Sequence, residues 1–102
     1  MGKDLRINMN LLKVLGALYD AHDTPHYGLS LSKATGISNG ALYPIIDKLE
    51  DGELITGTWE EVDEHAAGRR ARRYYQLTGD GVRLFEAERT KLMPILGGTL
   101  NV

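Results

Sequence analysis

Arginine dominates one short stretch of this chain, Gly68-Arg69-Arg70-Ala71-Arg72-Arg73, in which four of six consecutive residues carry a guanidinium group. Guanidinium groups bind phosphate oxygens, so the stretch predicts contact with a polyanion such as a nucleic-acid backbone. Arg69 and Arg70 are the first candidates for this contact, and Arg72 is a third. The competing interpretation is a solvated loop whose charge is balanced by nearby carboxylates. These carboxylates belong to Glu60, Glu61, Asp63 and Glu64.

Histidine and aspartate residues offer weaker chemistry. His22 and His26 are four residues apart, and Asp20 and Asp23 lie nearby, but Pro25 interrupts the helix that would align them. The chain has no cysteine, which excludes disulfides, thiolate metal sites and a cysteine nucleophile. No nucleophile and base pair or phosphate-binding glycine loop is visible in the sequence. We therefore expect neither an enzyme nor a bound metal or cofactor.

Length and charge restrict the remaining possibilities. With 102 residues, 42% of them hydrophobic and 25% charged, the chain is expected to fold as one globular domain. Its formal net charge of −2 means that a nucleic-acid site must be a local basic patch. The apolar runs are too short for a membrane span or a signal peptide, so we expect a cytoplasmic protein without a membrane partner.

Three helices are predicted in the first half of the chain. Apolar residues recur on one face from Asn8 to about Ala21, which is typical of an amphipathic helix that ends before Pro25. A brief helix is expected from Tyr27 to Thr35, followed by a tight turn at Gly36. Ser38 is a good N-cap for the third helix because its hydroxyl can accept a hydrogen bond from a backbone amide.

The third helix, from Ser38 to Asp51, has the clearest amphipathic pattern. Its apolar residues recur at helical spacing and are expected to face the core. They are Leu42, Ile45, Ile46 and Leu49. A turn of 100° per residue then places another set on the outside. That outer set is Gly40, Tyr43, Pro44, Asp47 and Lys48.

The second half predicts a hairpin followed by a helix. The segments from Leu54 to Glu60 and from Arg72 to Leu77 favour strands joined by a long polar tip, and Thr78 can cap a final helix. The order of elements is that of a winged helix-turn-helix, a mainly α fold of the α+β class with a small β-hairpin. Residues 1–77 would form the winged helix-turn-helix, and residues 78–102 would form a C-terminal helix of the same domain.

In a helix-turn-helix, the second helix enters the major groove of DNA, and residues near its N-terminus contact base edges. Asn39 could hydrogen-bond a base edge, Gly40 would allow close approach, and Tyr43 could bond a base or contact a thymine methyl. Ser38 and Lys48 are candidates for phosphate contact. The alternative is that Ser38 only caps the helix and Tyr43 only packs.

A set of short motifs follows the same order along the chain. They are Tyr27-Gly28, Gly40-Ala41-Leu42-Tyr43-Pro44, Lys48-Leu49-Glu50, Leu54-Ile55, Arg72-Arg73-Tyr74-Tyr75-Gln76-Leu77-Thr78 and Gly81. In these residues the chain resembles the PadR family of bacterial transcriptional regulators, over about residues 8–90. The resemblance implies a dimeric winged-helix repressor whose first and last helices contribute to the dimer. Glu53 departs from the family, which usually has glycine at that place, and Asp47 stands where a basic residue is common.

A dimer is also expected because the last helix has more apolar surface than a core of this size requires. The candidate interface residues are Leu11, Val82, Phe85, Leu92, Met93 and Leu96. Alternatively, these side chains pack inside one chain. We therefore predict a homodimeric, sequence-specific repressor that binds a palindromic operator in duplex DNA and occludes a promoter.

Two other functions stay open at this point. One is a winged helix that binds another protein without specific DNA binding. The other is a sensor whose DNA affinity changes when an unidentified small-molecule effector enters the dimer interface.

Overall fold

The computed structural model describes residues 6–20 and 24–94, which form five helices and three strands. The elements are α1 (Met9–Asp20), β1 (His26–Tyr27), α2 (Gly28–Thr35), α3 (Asn39–Asp51), β2 (Ile55–Trp59), α4 (Glu64–Ala67), β3 (Arg73–Leu77) and α5 (Gly79–Leu92). The predicted winged helix-turn-helix, mainly α with a small antiparallel sheet, is confirmed. Leu96, one of the predicted interface residues, lies outside the described residues.

The core is formed by the apolar faces of the first three long helices together with one side of the sheet. Its buried side chains are Leu11, Val14, Leu15, Leu18, Leu31, Ile37, Leu42, Ile46, Leu49, Ile55 and Tyr75. The sequence places Leu11 at a dimer interface, but in the structure its side chain is only 1% exposed. Because α1 turns Leu11 into the core, this side chain is not available to a second chain.

A tight turn joins α2 to α3. Gly36 has the left-handed φ of 76° that the sequence predicts. The Ser32 hydroxyl donates to the carbonyl oxygen of Ile37 at 2.6 Å and fixes the turn. Ser38 occupies the N-cap position of α3, but its hydroxyl makes no capping hydrogen bond. The Ala41 amide, which such a cap could serve, donates instead to the carbonyl oxygen of Ser38 at 3.1 Å.

The sheet has three strands in the order β1-β3-β2, whereas the sequence predicts only a hairpin. The extra strand consists of His26 and Tyr27, which lie opposite Tyr75 and Tyr74 in an antiparallel pair. Two residues are too few to show the alternation by which a strand is detected in a sequence. Tyr27, which the sequence places in the following helix, is the N-cap of α2.

The tip of the hairpin contains α4, which the polar sequence does not reveal. Oδ1 of Asp63 accepts hydrogen bonds from the amides of His65 at 3.0 Å and Ala66 at 3.3 Å. Gly68, with a φ of 71°, ends the helix. The tip is therefore a folded turn of helix, although four residues are too short for helical periodicity to appear.

The last helix begins where the sequence predicts. Oγ1 of Thr78 accepts a hydrogen bond from the Gly81 amide at 3.0 Å. Gly81 is buried at a close approach, since a Cβ there would lie 2.1 Å from the carbonyl oxygen of Leu54. Further along, the rings of Tyr19 and Phe85 lie 4.9 Å apart and join α5 to α1.

Candidate nucleic-acid interface

The outer face of α3 is the one that its periodicity predicts. Its exposed residues are Ser38 and Asn39 at the start, followed by Gly40, Tyr43, Pro44, Asp47 and Lys48. Apart from its chain neighbours and the adjacent backbone of α3, no described atom lies within 4 Å of the place that a Cβ on Gly40 would occupy. The first turn of α3 therefore presents open surface that another molecule can approach closely.

The charge on α3 does not favour binding to a polyanion. The helix has one cation, Lys48, and three carboxylates, on Asp47, Glu50 and Asp51. Carboxylates near phosphate are repelled, so this helix does not supply electrostatic attraction for a polyanion. Positive charge must come from another element.

Tyr43 connects the two helices of the helix-turn-helix. Its side chain is 44% exposed, yet its hydroxyl lies directly over Gly28, the first residue of α2. A Cβ on Gly28 would be 1.9 Å from the Tyr43 hydroxyl oxygen, so only glycine leaves room for the ring. Packing and exposure thus coexist in this side chain, and the two interpretations of Tyr43 are compatible.

We call residues 55–77, from β2 through the tip to β3, the wing, and Glu60 organises its base. Oε1 of Glu60 accepts hydrogen bonds from Nη1 of Arg69 at 2.8 Å and from the Arg72 amide at 3.1 Å. Oε2 accepts from Nη2 of Arg69 at 3.0 Å. The hydrogen bonds from Arg69 are the main reason that the pKa of Glu60 is lowered from 4.5 to about 2. Arg69, a first candidate for phosphate contact, is therefore paired within the wing.

The other arginines of the wing differ in their surroundings. The guanidinium of Arg72 lies over the Tyr27 ring, 4.2 Å from its centre. Nη2 of Arg73 donates to Oε2 of Glu50 at 2.9 Å. Arg70 is exposed, and its side chain forms no ion pair with any residue of the described ranges. Of the four arginines, Arg70 is the one whose guanidinium contacts neither a carboxylate nor an aromatic ring within the described ranges.

Three residues that the sequence does not single out as site residues shape this surface: Tyr27, Glu50 and Glu60. The sequence offers nearby carboxylates that could balance the charge of the arginines, and this pairing is confirmed for Glu60. The strand register places the Arg72 backbone beside Glu60, because pairing Trp59 with Arg73 brings residues 60 and 72 side by side. Glu50 lies 23 residues from Arg73, so no local pattern could reveal that pair.

The apolar candidates for a dimer interface differ in exposure. Phe85 packs against the core, and Val82 and Leu92 are partly buried. Met93, at the end of α5, is 44% exposed. Two further exposed apolar side chains precede or begin α1, and the sequence does not single them out. They are Ile7 and Met9.

The described residues add no support for a metal site or for catalytic chemistry at histidine. In residues 6–20 and 24–94, no three potential metal ligands come together. His26 contacts Oγ of Ser30 through Nδ1 at 2.8 Å, and burial lowers its pKa. His22, its predicted neighbour, lies outside the described ranges. No helix of the described part is long and apolar enough to cross a membrane.

Solved structures share this arrangement of elements. A PadR family transcription regulator from Clostridium difficile matches with a TM-score of 0.73 at 20% identity, covering 88% of this chain and 93% of that chain. A PadR-like transcriptional regulator from Bacillus cereus matches with a TM-score of 0.65 at 23% identity, covering 83% and 84%. BpsR of Bordetella bronchiseptica, whose DNA binding is regulated by 6-hydroxynicotinic acid, matches with a TM-score of 0.75 at 23% identity, covering 94% and 65%. At these identities, the likeness establishes the fold.

The sequence itself carries the family relationship. No curated protein sequence matches the chain. Residues 14–87, most of the chain and nearly all of the helices and sheet described above, match the family described as "Transcriptional regulator PadR-like family". The chain therefore belongs to the PadR-like family of transcriptional regulators, and its winged helix is that of a DNA-binding regulator.

Proposed function

We propose that the chain is a sequence-specific repressor that binds a palindromic operator as a homodimer. One observation carries the proposal: the open first turn of α3 stands on the same domain as a wing from which Arg70 projects. In a winged helix-turn-helix, these two elements contact the major groove and the adjacent backbone or minor groove. The site therefore combines a surface for base edges with a separate source of positive charge.

On α3, we assign the base edges to Asn39, Gly40 and Tyr43. The amide of Asn39 can bond a base edge, the bare backbone of Gly40 permits close approach, and the exposed part of Tyr43 offers a ring edge and a hydroxyl. Ser38 and Lys48 are assigned to phosphate. The Ser38 hydroxyl supports this assignment because no cap bond occupies it.

On the wing, we assign phosphate or minor-groove contact to Arg70 and Arg72. Arg70 is exposed. The face of the Arg72 guanidinium lies on the Tyr27 ring, which leaves the N–H groups at its edge able to donate to phosphate. Arg69, which the sequence favours equally, is assigned a supporting role because Glu60 binds it at both terminal nitrogens. Two wing arginines rather than three then remain for DNA.

Dimerisation is assigned to the exposed apolar side chains at the end of α5 and the start of α1. Met93 and Met9 are the exposed residues that a second copy would cover, together with the partly buried Leu92, and the close packing of Phe85 onto the core leaves it a smaller part. A two-fold dimer would place its two α3 helices about one DNA turn apart, roughly 34–36 Å, on a palindromic site. Occupation of such a site within a promoter would exclude polymerase. An effector that loosens the dimer would weaken operator binding by linkage.

The function is tested by selecting bound sequences from a pool of labelled random duplexes and titrating the best one over a range of salt concentrations. Enrichment of a palindrome, with affinity that falls steeply as salt rises, is the expected result. If no duplex is enriched even at low salt, the proposal fails, and a winged helix that binds another protein becomes the better hypothesis.

A further inference from the structure

Three backbone groups that follow the Cα of Arg70 are held by side chains of the wing. The carbonyl oxygen of Arg70 accepts a hydrogen bond from Nη1 of Arg69 at 3.1 Å. The next amide donates to Oε2 of Glu64 at 2.6 Å. The amide after that, of Arg72, donates to Oε1 of Glu60 at 3.1 Å. The backbone on the carboxyl side of Arg70 is therefore held by other side chains of the wing.

Glu60 is the centre of this network. Its own amide donates to the carbonyl oxygen of Arg72 at 2.7 Å, which closes the hairpin at the base of the tip. The Glu60 side chain is 20% exposed, and its carboxylate binds the Arg69 guanidinium and the Arg72 amide at the same time. Without the carboxylate, the guanidinium would lose its partner and the amide its acceptor. Both would then need new partners, and the path of the chain around Arg70 would change.

We propose that Glu60 is a positioning residue for DNA binding, which fixes the wing so that Arg70 reaches the phosphate backbone while Arg69 serves as a strut. The proposal rests on the DNA-binding function proposed above and adds to it a residue that does not touch DNA. It predicts that removing this negative charge has the opposite effect to the usual one. A carboxylate close to DNA is normally unfavourable, so its removal should strengthen binding. If Glu60 positions the wing, its removal weakens binding instead.

Glu61, the next residue, is the matched control for this prediction. Glu61 is exposed and forms no side-chain hydrogen bond within the described ranges, and it carries the same charge on the same hairpin. In fluorescence anisotropy with the selected duplex, Glu61→Gln is expected to bind as tightly as the parent protein or up to about threefold tighter at low salt. Glu60→Gln is expected to bind roughly tenfold more weakly, the loss typical of one charge-assisted contact.

Glu60→Asp separates position from charge. This variant keeps the net charge but shortens the side chain by one methylene, so it cannot reach Arg69 and the Arg72 amide together. It is expected to lose most of the affinity that Glu60→Gln loses. Thermal unfolding of each variant checks that the hairpin variants are folded at the temperature of the binding assay.

A double-mutant cycle with Arg70→Gln distinguishes positioning from a general loss of stability. Glu60 and Arg70 make no direct side-chain contact in the described structure, so a general effect would give additive losses. If Glu60 acts through Arg70, the two losses overlap, and Arg70→Gln costs little more in the Glu60→Gln background. The slope of log affinity against log salt should fall by about 0.9 for Arg70→Gln in the parent protein and hardly change in that background.

Two results would overturn the positioning role while leaving the DNA-binding function intact. One is a Glu60→Gln variant that binds as tightly as Glu61→Gln or tighter, which would mean that Arg69 is released to phosphate. The other is strict additivity of Glu60→Gln and Arg70→Gln. Failure of the parent protein to bind any duplex in a salt-dependent way would overturn the proposed function and the positioning role together.

Discussion

Nη2 of Arg73 lies 2.9 Å from Oε2 of Glu50, so the last strand of the wing is tied to the last turn of α3. The same guanidinium lies close to Gly57 and over the Trp59 ring, 5.4 Å from its centre. Both charged side chains are partly exposed, so the ion pair adds only modest stability. Its consequence is also geometric, because it links the helix to the hairpin, the two elements that are proposed to contact DNA.

Gly57 should be necessary for the Arg73 contact. A Cβ at Gly57 would lie 2.6 Å from Nε of Arg73, so Gly57→Ala is expected to displace the guanidinium and to cost at most about 1 kcal/mol, since alanine is favoured over glycine within a strand. Arg73→Gln removes the same contacts at a similar cost, and the double variant should cost no more than the larger single one. Urea unfolding measures all three. Arg83→Gln, which breaks an exposed pair with Asp80, is the control and should change stability by less than about 0.5 kcal/mol. Additive costs would contradict this account.

Gly28 and Tyr43 should be coupled in the same manner. Gly28→Ala places a methyl group on the Tyr43 hydroxyl, so the ring must leave its site, and we expect a loss of about 1–3 kcal/mol in urea unfolding. Tyr43→Ala makes room for the methyl group, so Gly28→Ala should cost much less in that background. In DNA selection, Gly28→Ala and Tyr43→Ala should change preference at the same base position, and Asn39→Ala should act at another. If Gly28→Ala leaves both stability and preference unchanged, Tyr43 does not occupy the site described.

Glu53 should be replaceable by glycine with a gain in stability. Among the described residues, it is the non-glycine residue with a positive φ, 59°, and it lies in the turn between α3 and β2. A left-handed conformation destabilises a residue with a Cβ by roughly 1–2 kcal/mol. Glycine avoids this cost, but it loses more conformational entropy on folding, which offsets part of the gain. We therefore expect Glu53→Gly to raise the free energy of unfolding by about 0.5–1 kcal/mol. Asp47→Gly, in the middle of α3, is the control and should lower it by about 0.3 kcal/mol, the difference between the helix propensities of the two residues. A loss at both positions would refute the strain argument.

Glu60 should make stability depend on pH in the acid range. Its pKa is lowered from 4.5 in the unfolded chain to about 2 in the folded one, chiefly by hydrogen bonds from Arg69. The folded state therefore gains from the ionised carboxylate above about pH 4.5 and loses that gain as pH falls towards 2. Urea unfolding across this window should show a shallower decline for Glu60→Gln than for the parent protein. Glu61→Gln should decline as steeply as the parent, and equal slopes for all three proteins would contradict the assignment.

Met93 should matter for self-association but not for folding. Its exposed side chain ends α5, so Met93→Glu places a charge in the proposed interface without disturbing the core. We expect sedimentation equilibrium to show dimer affinity lowered at least tenfold, about the effect of losing one buried methionine. Leu29→Glu changes an equally exposed apolar residue on α2 and should leave self-association unchanged. Equal weakening by both variants would argue against an interface at the end of α5.

The long helices and their faces could be predicted from the sequence because each one repeats its own pattern. Leu42, Ile46 and Leu49 recur at helical spacing, and the structure buries all three. The same spacing places Tyr43 and Lys48 on the exposed side, where the structure has them. The hairpin and the Thr78 cap follow from equally local patterns, and their order along the chain is sufficient to predict the fold.

The elements that the sequence misses are short or depend on distant partners. The strand formed by His26 and Tyr27 exists because β3 offers it hydrogen bonds, and α4 exists because Asp63 and Gly68 close a single turn. Leu11 shows the same limit for a side chain. Its apolar character fits a core and an interface equally well, and only the packing of α1 against the other helices places it in the core.

The sequence by itself determined that a winged helix-turn-helix carries an arginine-rich wing and an α3 with an open outer face, because each element shows its own local pattern of residues. Only the tertiary structure decided which arginines remain available. Arg69 pairs across the hairpin with Glu60, and Arg73 pairs with Glu50 on another element, while Arg70 is left exposed. The physical reason is that an ion pair depends on distance in space, which strand register and helix packing set, and spacing along the chain does not reveal it.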